Sequence, residues 1–180
     1  SAMPHDLAQR EREGQEVTMH MNVKPISTLA PRINEIREIT ARIVNREILP
    51  NERKLWVGWR DDASDDDRRV ARELRESIRA KVRQAGLWAP HLPPDYGGAG
   101  LGFLEHAYMN EVLAYSMGAA ALFGVVAPNS GNQKILLKYG TEEQKRKWLI
   151  PLTEGKMESG FSMTEPHSAG SDPRSIKTTA

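Results

Sequence analysis

The sequence predicts a mainly α-helical chain that opens, near its end, into the start of a β-type segment. Three observations carry this. Apolar residues recur at spacings of three and four through most of residues 31 to 150. Helix-start residues stand just ahead of those runs, Ser64 and Thr141 the clearest. After residue 158 the periodicity gives way to alternation and small residues, which is the texture of strands and turns.

Residues 1–27 are polar and aperiodic and read as a flexible N-terminal arm. Pro31 opens the first helix, in which Ile33, Ile36, Ile39, Ile43, Val44 and Ile48 share one face. Pro50 is its expected end, because proline lacks a donor and clashes with the preceding turn. Trp56 and Trp59 fall in a connector. Ser64 then caps a helix whose first turn, Asp65-Asp66-Asp67, sets three carboxylates at the positive end of the helix dipole. Val70, Leu74, Ile78, Val82 and Ala85 are its expected buried stripe, and Gly86 its stop.

The stretch from Gly86 to Gly100 reads as a long turn, and a third helix is expected from about Leu101 to Ser116, with Leu104, Tyr108, Val112 and Tyr115 along one side. Ala119 to Val126 is almost wholly apolar and reads as a buried helix, broken by Pro128-Asn129-Ser130-Gly131-Asn132. A short helix follows to Tyr139, with Gly140 as its cap. Thr141-Glu142-Glu143-Gln144 is a capping box that opens the last helix, with Pro151 as its expected stop. Residues 158–164 and 176–179 are the two expected strands. The resulting division is an arm (1–27), a helical domain (28–157) and the beginning of a β domain that runs out at residue 180.

Composition excludes several classes. The 180 residues carry a net charge of +1, with 27% charged residues, so neither disorder nor a strongly charged partner is implied. Cysteine is absent, which removes disulfides, thiolate metal sites and a cysteine nucleophile. No apolar run approaches the roughly 20 residues of a membrane span. The N-terminal residues do not pair a cationic segment with an apolar one, so no secretory signal is expected. Arg68, Arg69, Arg72, Arg75, Arg79 and Arg83 form a basic face, but Glu73, Glu76 and the acidic first turn interleave it. A solvated helix surface is the expected reading, not a nucleic-acid face.

Little chemistry is announced. His5, His20, His91, His106 and His167 have no ligand spacing, so no metal site is expected. No pair of carboxylates stands out for acid–base work. Ser130 is outside a nucleophile elbow and reads as a turn residue. The glycine-rich Gly97-Gly98-Ala99-Gly100 lacks the lysine and hydroxyl of a P-loop. The segment from Phe161 to Asp172 is different: small residues let a backbone approach a ligand, and their N–H groups can cradle an anion. The residues alone give a helical domain with a ligand-facing edge at 161–172.

That edge has a resemblance. Phe161-Ser162-Met163-Thr164-Glu165-Pro166, small residues, then Ser171-Asp172 resembles the flavin-contacting signature of the acyl-CoA dehydrogenases. Two upstream blocks resemble the same family: Gly86 to Pro90 with Pro94 to Gly100, and Tyr139 to Lys145 with Trp148 to Leu152 and Gly155-Lys156. The loop is one residue longer than the commonest family form. It is similar, as Pro128 to Asn132 also is, to a subgroup with a Thr-Glu-Pro-x-x-Ala-x-Ser-Asp loop.

The resemblance implies an N-terminal helical domain, a middle β domain, a C-terminal helical domain and bound FAD. The backbone near Phe161 and Met163 and the hydroxyl and amide of Thr164 would face the flavin. Ala169, Gly170 and Ser171 would approach the cofactor pyrophosphate, and Ser171 also the CoA part of the substrate. The implied reaction removes an α proton with a glutamate and passes a hydride from the β carbon to the flavin. That glutamate belongs to the C-terminal domain, so no residue of this chain is expected to be catalytic, and the chain by itself is expected to bind FAD weakly or not at all. An acyl-CoA substrate, electron-transfer flavoprotein as acceptor, and a homodimer or homotetramer are implied, with no nucleic acid and no membrane span. The compartment would be the cytoplasm in a bacterium or the mitochondrion in a eukaryote. A flavin oxidase or monooxygenase of the same fold, and a non-catalytic helical interaction module, are the alternatives. Reactivity of reduced flavin with oxygen would single out the first, and loss of all binding to FAD and acyl-CoA the second.

Overall fold

The computed structural model describes residues 21–168 and 170–179. The helices are α1 (Pro31–Ile43), α2 (Glu52–Val57), α3 (Asp65–Gln84), α4 (Phe103–Leu113), α5 (Ala119–Leu122), α6 (Asn129–Tyr139), α7 (Glu142–Gln144) and α8 (Ile150–Glu154). The chain divides into two compact units, one including the described residues up to Val126 and one from Ala127 onward.

In the first unit α1 packs on α4, α2 on α3, and α5 against both α3 and α4. The buried residues of α1 and its continuation are Ile33, Ile36, Arg37, Thr40, Ala41, Val44 and Ile48. Ile39 and Ile43 sit half-buried beside that face rather than on it. Pro50 does not end the helix. Val44–Ile48 widens into a π turn, and the Leu49 N–H bonds back to the Val44 carbonyl five residues away. A 3-10 turn, Leu49–Asn51, carries Pro50 and leads straight into α2. Widening the turn ahead of the proline lets the helix continue past a residue that cannot donate. Trp56 therefore lies on a helix, not in a connector.

Two asparagines of this long helix hold the preceding chain. Asn34 pairs its side-chain amide with both the N–H and the C=O of Ile26, at 2.9 Å each. Asn45 does the same with Met21, at 2.8 and 2.7 Å. Eleven helical residues rise about 16 Å. Five residues of extended chain reach about the same distance. The spacing of the asparagines thus matches the run they hold.

α3 begins as expected: Ser64 Oγ accepts from the Asp67 N–H at 3.1 Å, and the Asp67 carboxylate accepts in turn from the Ser64 N–H. Its buried residues are Ala71, Ile78 and Val82. Ile78 and Val82 are buried as expected and Leu74 is half-buried, while Val70 and Ala85 at the two ends are exposed and Ala71 is buried in place of Val70. Gly86, at φ +69, closes the helix, with the Leu87 N–H on the Val82 carbonyl. The following loop folds on itself. The Gly100 N–H reaches the Leu92 carbonyl at 2.8 Å, and the Leu101 N–H the Pro90 carbonyl at 2.9 Å. A Cβ on Gly98 would stand only 2.1 Å from the Leu92 carbonyl oxygen, so the glycine there serves a close approach of backbone to backbone.

α4 is shorter than expected and buries Met109, Val112 and Leu113; Leu104 and Tyr115 are exposed. The apolar run after it yields only the four residues of α5, with Phe123 fully buried and Gly124 turning the chain at φ +75.

In the second unit, α6 starts at Asn129, so Asn129 to Asn132 form its first turn rather than a break, and Ser130 is helical. The Thr141–Gln144 capping box forms, with bonds of 2.8 and 3.2 Å. Lys145–Leu149 is a second π turn, again just ahead of a proline, and α8 carries Pro151 near its start and runs to Glu154. Leu149, Leu152, Gln133 and Thr153 are buried. The two expected strands do not form: among the described residues, 158–164 and 176–179 join no ladder. A strand is defined by its neighbour, and neither run has one here.

Candidate functional site

The loop between residues 161 and 178 is built by short-range bonds. The Ser168 N–H closes a turn on the Glu165 carbonyl at 3.2 Å. Gly170 follows at φ +73, its N–H 3.3 Å from Ser168 Oγ. That hydroxyl lies 3.3 Å from Ser175 Oγ across the loop. Asp172 then caps a 3-10 turn, Pro173–Ser175: its carboxylate accepts from the Arg174 N–H at 3.0 Å and from the guanidinium at 3.0 and 3.1 Å. The Arg174 guanidinium, aided by that N–H, holds the Asp172 carboxyl below the usual aspartate range.

Glu165 ties this loop to the next segment. Its Oε1 accepts from the Lys177 N–H at 3.0 Å, the Thr178 N–H at 2.7 Å and the Thr178 hydroxyl at 2.6 Å. The Thr178 hydroxyl first, then the two N–H groups, hold its carboxyl below the usual glutamate range. The other end of the segment is tied to α6. Asn129 Oδ1 accepts from the N–H and the hydroxyl of Ser159 at 2.9 and 2.8 Å, and Asn132 Nδ2 donates to Ser159 Oγ at 2.9 Å.

Between these ties lie the sequence-derived site residues. Phe161 is 66% exposed and Met163 38%, and Thr164 and Ser171 are exposed. Gly170 is half-buried against Thr164: a Cβ there would lie 3.1 Å from Thr164 Oγ1. Thr164 and Gly170 are therefore neighbours across the loop. Ala169 lies outside the described residues. His167 is exposed. The sequence reading missed Asn129, Asn132, Ser159 and Thr178. Two asparagines three apart at the start of a helix were the available signal, but Pro128 made that stretch read as a break. Among the described residues no cluster of histidine, aspartate and glutamate could hold a metal ion, and no helix is long and apolar enough to cross a membrane.

The helices are followed by a small-residue loop that exposes the apolar side chains of Phe161 and Met163 and the hydroxyl residues Thr164 and Ser171. Residues 31–156 match the family model described as the acyl-CoA dehydrogenase N-terminal domain, and the chain belongs to that family. It is 38% identical over 154 residues to mouse acyl-CoA dehydrogenase family member 10, covering 83% of this chain and 14% of the relative. It is 34% identical over 136 residues to chicken acyl-CoA dehydrogenase family member 11, covering 76% of this chain and 17% of that one. A solved structure assigned as an acyl-CoA dehydrogenase, from Mycobacterium abscessus, superposes with a TM-score of 0.67 at 36% identity, over 81% of this chain and 37% of that one. The chain thus spans about a seventh to a third of the proteins it matches.

Proposed function

We propose that this chain supplies the helical domain (28–157) and, in residues 158–180, one flavin-facing edge of an FAD-dependent acyl-CoA dehydrogenase. The enzyme would desaturate the α,β bond of an acyl-CoA thioester in fatty-acid or related catabolism. Electron-transfer flavoprotein as acceptor, a homodimeric or homotetrameric assembly, and a cytoplasmic or, in a eukaryote, mitochondrial location belong to the same proposal.

The observation that carries it is the juxtaposition of Gly170 and Thr164. Gly170 leaves clear the space beside the Thr164 hydroxyl that a Cβ would enter, so backbone and hydroxyl offer one uncrowded polar edge. These residues fit a flavin: Phe161 and Met163 supply exposed apolar surface, Thr164 a hydroxyl and an amide, and Gly170 and Ser171 amides for the pyrophosphate, with Ala169 just before them in sequence. Ser171 would also meet the CoA portion of the substrate. When bound, FAD supplies the hydride acceptor. This chain's part is to bind and orient, and none of its residues is assigned an acid–base role.

The test is FAD titration of the full gene product, with Thr164→Val as the variant. Stoichiometric flavin uptake by the parent, weakened about tenfold in the variant, is expected from loss of one polar contact. Absence of flavin uptake by the parent would overturn the reading.

A further inference from the structure

We propose that Asn129 and Asn132, in the first turn of α6, are positioning residues that set the register of the flavin-facing edge. The proposal rests on the flavin reading above and explains a sequence motif, Pro128 to Asn132, that the reading leaves without a role.

A separation of three places both side chains on one side of the helical turn. Both act on Ser159. Asn129 Oδ1 accepts from the Ser159 N–H at 2.9 Å and from its hydroxyl at 2.8 Å. Asn132 Nδ2 donates to the same hydroxyl at 2.9 Å and to the Gly160 carbonyl at 3.3 Å. The hydroxyl thus donates to one asparagine and accepts from the other. A single hydroxyl oxygen satisfies both at once, which neither a carboxylate nor a glycine can do.

The flanking residues, Glu158 and Gly160, have none. The clamp therefore selects Ser159 over either position one step away. A slip of one residue along this run would carry Met163 and Thr164 each one place along, and Thr164 away from where it now stands beside Gly170. Registers are held elsewhere by ladder bonds, and among the described residues this run has no ladder. What fixes it at its upstream end is α6. The same device, an asparagine side chain bonded to passing backbone, holds residues 21 and 26 along α1 and the π turn that continues it.

The experiment uses the full gene product with FAD as probe, comparing Asn129→Leu, Asn129→Asp and Ser159→Ala with the parent. Asn129→Leu removes the acceptor at similar size, and Asn129→Asp keeps it. Ser159→Ala takes away the shared hydroxyl without touching α6. Flavin fluorescence gives the dissociation constant, and thermal melting reports the helices separately. Expected are a roughly tenfold loss of FAD affinity in Asn129→Leu and Ser159→Ala, the size of one or two lost hydrogen bonds, a value near the parent's in Asn129→Asp, and melting close to the parent's in Ser159→Ala.

Parental FAD affinity in both Asn129→Leu and Ser159→Ala would overturn the positioning role and leave the flavin reading standing. Equal loss in the Leu and Asp variants, in step with lower melting, would overturn it as well, since that is what mere support of the helix gives. Failure of the parent to take up FAD would overturn the flavin reading and this inference together.

Discussion

Arg75 of α3 donates through Nη1 to the carbonyl oxygen of Leu55 on α2, at 2.7 Å. Seven residues earlier, Arg68 Nη1 donates to the Gly58 carbonyl at 2.9 Å. A separation of seven is two helical turns, so these two arginines share a side and close the C-terminal end of α2. The basic face of α3 is thus divided. Arg69 and Arg79 make the solvent-side ion pairs expected of it, with Asp66, Glu73 and Glu76. Burial, then the neighbouring Arg79 and Arg72 guanidinium groups, lowers the Arg75 pKa below the ordinary arginine value.

Arg75→Met should therefore destabilise the chain by about 1–2 kcal/mol, because it keeps the apolar stem but leaves the Leu55 carbonyl without its donor. Arg72, exposed on the same helix, is the control. Arg72→Met should lie within about 0.5 kcal/mol of the parent. Urea unfolding followed by circular dichroism measures both, and equal effects would contradict the division of the face.

Gly98→Ala should cost about 1–3 kcal/mol, since the added Cβ meets the Leu92 carbonyl oxygen and carbon, which are backbone atoms and cannot rotate away. The nearby Gly86 lies at positive φ but has open space around it, so alanine there meets only conformational strain, roughly 1 kcal/mol. Thermal melting of the two variants should rank Gly98→Ala as the more damaging.

Gly131→Ala should go the other way. Gly131 lies in the first turn of α6, and nothing stands within 4 Å of where its Cβ would be. Alanine there should raise stability by roughly 0.5–1 kcal/mol, the difference in helix propensity. A lower melting temperature would mean that the first turn of α6 needs glycine for a reason the surrounding space does not show.

The sequence made the helices legible where caps and periodicity agreed. Ser64 and Thr141 start their helices as read, and Gly86 stops α3. It misled at the prolines. Pro50 and Pro151 read as stops by local rules, yet π turns carry both helices onward, and only packing of residues such as Ile48 and Leu149 makes that worthwhile. Ile78 and Val82 of α3 are buried as read, but at its start Ala71 takes the buried place expected of Val70: the Ala71 Cβ lies close to Gly58, 3.5 Å from where a Cβ on that glycine would stand, a proximity that hydrophobicity alone does not reveal. At the candidate site, Thr164 and Gly170 could be named from their motif. The ties that hold the segment around them, Ser159 to α6 and Glu165 to Thr178, depend on how the chain returns and leave no periodic trace.

The tie from Glu165 gives a pH dependence. Its carboxylate accepts the Thr178 hydroxyl and the Thr178 and Lys177 N–H groups, which favours the ionised form and lowers its pKa against a smaller opposing effect of burial. A group depressed on folding stabilises the fold above its unfolded pKa, and that contribution is lost as pH falls through the lower, folded value. The clamp on residues 177–178 should therefore be intact at neutral pH and release only below the ordinary glutamate range. Asp172 is lowered too, by Arg174, so the Pro173–Ser175 turn should loosen in a neighbouring acid window. Nuclear magnetic resonance of the Thr178 amide, followed as pH is lowered, separates the two. The parent should show a transition at Thr178 that Glu165→Gln abolishes, because the amide has no proton to gain, while the transition at Arg174 remains. An unchanged Thr178 profile in Glu165→Gln would show that the carboxylate does not hold the segment.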